Sequence, residues 1–189
     1  MNWQKVFLCS LLLSAMYSSG CDADSRSKSF WFLSSMKIEQ HFEDPLMIVL
    51  AKAIEEQSLS DIQNLIIQGA DINAIGNEGM SPLFWALTKQ KAESFKFLLE
   101  RGANPNVIAE KRVEKKLYPT RPDTQKLALM ELAATTDDPI YLALALQHGG
   151  DPDTIAYGSI AGGITILFRS IAKGGVEHVD LLIDAGSDV

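Results

Sequence analysis

Three histidines, two cysteines and a His-Gly-Gly run are the residues of this 189-residue chain that chemistry would use first. A histidine serves as a base or a metal ligand when a second ligand or an orienting carboxylate stands at a fixed spacing from it. His41, His148 and His178 are scattered, and none sits in a metal-binding pattern. His148-Gly149-Gly150-Asp151 offers backbone N–H groups of the kind that hold an oxyanion, but the chain has no Gly-x-Ser-x-Gly turn to carry a nucleophile. It also lacks His-Glu-x-x-His, a Walker loop and Gly-x-Gly-x-x-Gly. No catalytic residue, metal or cofactor is therefore expected, and His178 reads as a helix-surface residue.

Composition points to a folded body with another task. Apolar residues make up 47% and charged residues 22%, ordinary values for a globular protein. Lys and Arg number 17 against 24 Asp and Glu, a formal charge of −7. Phosphate binding needs concentrated positive charge, so nucleic acid is not expected as a partner.

The elements that must position any binding residues show themselves as a repeat. Leu65-Ile66-Ile67-Gln68-Gly69-Ala70-Asp71-Ile72-Asn73 returns as Leu98-Leu99-Glu100-Arg101-Gly102-Ala103-Asn104-Pro105-Asn106, 33 residues later. Further copies surround Gly149 and Gly186, after gaps of 47 and 37 residues, so 14 and 4 residues are inserted between otherwise intact units. Sixteen residues before each glycine stands a small residue: Ala53, Ala86, Ala133 and Ser170. Leu50, Leu83, Met130 and Leu167 precede these by three, and Ile62, Phe95, Leu142 and Val179 lie seven before the glycines. Small residues let helices approach and large ones fill the seam. A glycine just past the last apolar pair suits a left-handed helix stop. Each unit reads as two short antiparallel helices and a turn.

Gly79-Met80-Ser81-Pro82-Leu83-Phe84-Trp85-Ala86, followed by the Leu98–Asn106 run, resembles an ankyrin repeat, with Ser81-Pro82 suited to a helix start. The resemblance implies an all-α ankyrin-repeat solenoid of about four units over residues 45–189, with a degenerate first unit, the helix-start proline kept only in the second, and the fourth incomplete. The fourth unit breaks off where another turn is due, so a longer chain or a covering partner is expected. In that family protein partners bind along a concave face of turn tips and first helices. Carried over by position, this gives Asn77, Glu78, Met80, Thr88 and Lys89 in the second unit, Thr124, Gln125, Leu127, Thr135 and Thr136 in the third, Ala161, Gly162, Ile164, Ala172 and Lys173 in the fourth, and Glu55 and Glu56 in the first. Trp85 takes a position that is leucine in the family and reads as seam packing.

The N-terminus reads as an address. Lys5 precedes about twelve apolar and small residues, too few to span a ~30 Å hydrocarbon core. Residues 1–20 are therefore expected to be an export signal. Ser19-Gly20-Cys21 resembles the end of a bacterial lipoprotein signal, which implies lipidation of Cys21; simple cleavage is the alternative. By the same resemblance Asp22 implies retention at the inner membrane, facing the periplasm. Residues 21–44 read as a tether and an N-terminal cap, within which Phe30-Trp31-Phe32-Leu33 serves either as an interfacial anchor or as part of the cap.

The inserted stretch 109–122 is expected to be a loop. It carries Lys111, Arg112, Lys115, Lys116 and Arg121 against Glu110 and Glu114, a net +3 on an acidic body. Such polarity steers association, and Tyr118 between cations suits an interface anchor; solvation alone and contact with anionic lipid are the other readings. Taken together, the chain resembles periplasmic ankyrin-type immunity lipoproteins that accompany secreted antibacterial lipase or phospholipase effectors. That resemblance implies a binder, monomeric when free, that occludes such an effector. A periplasmic scaffold for a stress-defence enzyme and a surface-attached structural or adhesion protein are the rival readings.

Overall fold

The computed structural model describes residues 36–112, 124–157 and 163–188. The chain divides into two bodies, Met1–Met36 and Lys37–Val189, and every described residue except Met36 lies in the second. The export signal, Cys21 and Phe30–Leu33 thus lie outside the described residues. So do Lys115, Lys116, Tyr118 and Arg121 of the insertion.

The second body is mostly helical. A short helix α1 (Ile38–His41) leads into four helix–turn–helix units: α2 (Pro45–Glu56) with α3 (Leu59–Ile67), α4 (Pro82–Thr88) with α5 (Ala92–Glu100), α6 (Leu129–Ala133) with α7 (Ile140–Gln147), and α8 (Ile166–Lys173) with α9 (Val176–Asp184). First helices pack on first helices and second on second: α2 against α4, α4 against α6, α5 against α7. The four small residues before the glycines are all buried, as close helix approach requires.

Local chemistry sets the helix ends. Ser81 Oγ accepts the Phe84 N–H at 3.1 Å with Pro82 in the first turn of α4. The first unit uses the same device: Asp44 Oδ1 accepts the Leu46 N–H at 2.9 Å and Pro45 opens α2. Proline is therefore not confined to the second unit. Pro45 lies 24 residues before Gly69, against 20 from Pro82 to Gly102, because α2 is longer than α4 and starts earlier in its unit. At the other ends, Gly69, Gly102, Gly149 and Gly186 all adopt positive φ, between 87° and 101°. In each unit the next N–H reaches back five residues, as from Ala103 to the Leu98 carbonyl at 3.0 Å, closing the helix.

One correction concerns fold class. The fold is mostly helical but carries short strands, and residues 109–112 of the insertion lie in one of them: β1 (Ile108–Arg112) pairs antiparallel with β2 (Thr124–Ala128), Glu110 opposite Lys126 and Lys111 opposite Gln125. A second short pair joins β3 (Ile155–Ala156) to β4 (Ile164–Thr165). Chain leaving one unit must return to the next, and side-by-side pairing satisfies backbone groups that a bare loop would leave to water. Helical periodicity carries no signal for this. A 3-10 turn at Asn77–Gly79 packs against β1 so closely that a Cβ on Gly79 would lie 2.9 Å from the Ala109 Cα.

α1 and the residue after it pack against the second unit. Ile38, His41 and Phe42 are buried, and the rings of His41 and Phe42 lie 5.8 and 6.0 Å from that of Trp85. Trp85 itself is wholly buried, as seam packing requires.

Candidate protein-binding surface

The turn edge is tied together by one side chain per unit. Asp71, Asn104 and Asp151 each accept the backbone N–H two residues on at 2.9 Å, which folds the turn. The residue so presented reaches across to the next unit. Asn73 Oδ1 accepts the Asn104 N–H at 2.8 Å while its Nδ2 donates to the Gly102 carbonyl. Asn106 does the same to Asp151 and Gly149. Asp153, whose side chain has no N–H, accepts on Oδ1 the Asp188 N–H at 2.8 Å and the Ser187 hydroxyl at 3.0 Å.

On this framework the residues expected to touch a partner separate. Asn77 and Glu78 are at the surface of the 3-10 turn. Asn77 Nδ2 donates to the Gln40 carbonyl and to Glu43 Oε1, both at 3.2 Å, and Glu78 Oε2 lies 3.9 Å from His41 Nδ1. Met80 and Thr88 are corrections. Both are buried, and the Thr88 hydroxyl donates to the Trp85 carbonyl at 2.8 Å. The whole of α4 is buried, because large Phe84 and Trp85 take up the space between neighbouring units. Lys89 is drawn inward as well: its Nζ lies 3.3 Å from Glu55 Oε1 and 4.5 Å over the Trp85 ring. Lys111, Arg112, Thr124 and Gln125 are placed in β1 and β2 by register.

His178 needs the same correction. It is buried at the start of α9, and its Nε2 has no hydrogen-bond partner among the described residues. Burial, with the nearby Lys173 charge, pushes its pKa down, against smaller opposing contributions from Glu177, Asp137 and Asp138.

What the later units expose was not legible in the repeat. Ile108, Ile155 and Tyr157 are exposed along the two strand pairs. Lys126 Nζ stands 6.0 Å over the Tyr157 ring and 3.9 Å from Glu110 Oε2. Beneath them Glu131 is buried, its Oε2 accepting the Tyr157 N–H at 2.9 Å and its Oε1 lying 3.4 Å from Arg169 Nε. Tyr157 is thus fixed at its backbone while its ring faces water, the amphipathic kind of group that interfaces use as an anchor. On α8, Phe168 and Ile171 are 44% and 46% exposed, although Phe84 and Leu87 at the same places in the second unit are 1% and 0%.

Among the described residues no three His, Cys, Asp or Glu side chains converge to hold a metal ion. No described helix is long and apolar enough to cross a membrane. The arrangement offers contact area, an aromatic anchor and opposite charges, the means of recognition. Comparison with known families agrees at the second unit: residues 78–110 match the ankyrin repeat, a module that suggests protein interaction.

Proposed function

We propose that this chain is a non-catalytic protein-binding module working at the periplasmic face of a bacterial membrane. In this reading the signal at 1–20 exports it and a lipid on Cys21 tethers it. Its partner is a secreted antibacterial lipase or phospholipase, which it binds and occludes as an immunity protein. The observation that carries the binding role is the ankyrin repeat at 78–110 within a stack that presents Ile108, Ile155 and Tyr157 along its strand pairs. Glu110 and Lys126 beside Tyr157 supply polar contacts around that apolar patch. Lys111 and Arg112 lie on the same strand pair, and the net positive charge of residues 109–122 favours an acidic rim on the partner.

The test is stoichiometric inhibition. The chain without residues 1–20 is mixed with the enzyme it captures from periplasmic extract, and lipid hydrolysis is followed. Loss of activity at one-to-one ratio, relieved by Tyr157→Ala with Ile155→Asp, is expected. A captured enzyme that stays active or gains activity overturns inhibition and favours a scaffold. Labelled fatty acid incorporated into the native chain but not into Cys21→Ser tests the tether.

A further inference from the structure

The second helices of the last two units frame a groove of about 500 Å³, and none of its lining residues lies in a strand. Ile140 and Ala143 of α7 and Leu181 of α9 give it an apolar floor, and Asp138, Glu177, Asp180 and Asp184 surround that floor with carboxylates. Repeat register explains this division. Nine, six and two residues before the unit glycine stand Ser60, Gln63 and Ile67, then Glu93, Lys96 and Glu100, then Ile140, Ala143 and Gln147, then Glu177, Asp180 and Asp184. The fourth unit alone has an acid at all three places, and the third, across the groove from it, has no charge at any.

Glu177, Asp180 and Asp184 follow helical spacing, so they form one stripe about 10 Å long at ~1.5 Å rise per residue. All three are exposed, and among the described residues no Lys or Arg forms an ion pair with them or with Asp138. Like charges three and four apart destabilise a helix, and cations laid beside them would relieve that cost. They do not converge as ligands of a single metal ion. An apolar floor suits side chains rather than a chelated cation, and an acidic rim repels phosphate-bearing surfaces.

We propose that this groove is a second docking site, for an amphipathic basic helix of a protein partner with Lys or Arg at matching spacing and apolar residues beside them. The helix lays its apolar side on Ile140, Ala143 and Leu181, and its cations pair with the carboxylate stripe. This site is independent of the strand-pair surface and of any inhibitory role.

The probe is a fluorescein-labelled peptide of about four helical turns with lysines in a single stripe and leucines next to it, titrated with the full chain and read by anisotropy. Asp180→Lys with Asp184→Lys is expected to weaken binding about tenfold or more, and added salt to weaken binding to the unaltered chain. Glu56→Lys with Glu100→Lys changes the net charge equally at distant exposed helix ends, and is expected to leave binding unchanged. Asp180→Asn with Asp184→Asn gives the same readout should the reversed chain fail to fold. The proposal is overturned if the distant reversal weakens binding as much, if the groove variants bind normally, or if a peptide with its lysines scattered around the helix binds as well.

Discussion

Asn106 and Asp151 are joined across the boundary between the second and third units. The Asn106 Oδ1 accepts the Asp151 N–H at 2.9 Å, and the Asn106 Nδ2 donates to the Gly149 carbonyl at 2.9 Å. The 47 residues separating Gly102 from Gly149 make this the longest connection between successive units, so the bridge holds in register two turns that the chain ties only loosely. Asn106→Ala removes both bonds and should cost about 1–2 kcal/mol, read as a lower urea midpoint at unchanged m-value. Asn106→Asp, which mimics Asp153 in the next unit, keeps the acceptor and should lose less.

Backbone conformation can be tested separately from contacts. Gln90 ends α4 in the left-handed region with φ 54°, where the fourth unit has Gly174 at φ 80°. Gln90→Gly should raise stability by up to about 1 kcal/mol by removing that strain. Gly102 has φ +90° and nothing within 4 Å of an added Cβ. Gly102→Ala should therefore cost about 1 kcal/mol through conformation alone. Thermal unfolding of the two variants should shift in opposite directions.

Acid should weaken the fourth unit through His178. Its pKa is lowered in the fold, chiefly by burial, so between its folded pKa and the ordinary value near ~6.5 the unfolded chain binds more protons than the folded one. Stability contributed by neutral His178 is present above that ordinary value and is lost as pH falls towards the folded pKa. His178→Gln, which cannot charge, should flatten the dependence of unfolding free energy on pH below about 6.5. An equally steep dependence in the variant would assign the effect elsewhere.

The Glu131–Arg169 pair should behave asymmetrically. Glu131 is buried, and its Oε1 makes no hydrogen bond among the described residues, relying on Arg169 at 3.4 Å. Arg169→Met leaves a buried carboxylate without its cation and should cost about 2–4 kcal/mol, somewhat discounted because Arg169 is partly exposed. Changing Glu131→Met together with Arg169→Met should recover part of that loss, although the Tyr157 N–H then loses its acceptor. A double-mutant cycle in urea measures the coupling.

The repeat, the glycine stops, the small seam residues and the Ser81-Pro82 start were legible in the sequence because each is a local requirement of helix geometry. φ at Gly102 or the cap at Ser81 depends on a handful of adjacent residues, and the glycine stop returns in all four units. Tertiary structure decided the rest. Thr88 and Lys89 stand where the repeat would present them to a partner. Whether they do so depends on the bulk of Trp85 and on Glu55 in the preceding unit, which bury one and draw in the other. Pairing of β1 with β2, the Glu131 bridge to Tyr157 and the acidic groove between α7 and α9 each join residues from different units. A period records what every unit has in common; it has no means of recording what one unit does to its neighbour.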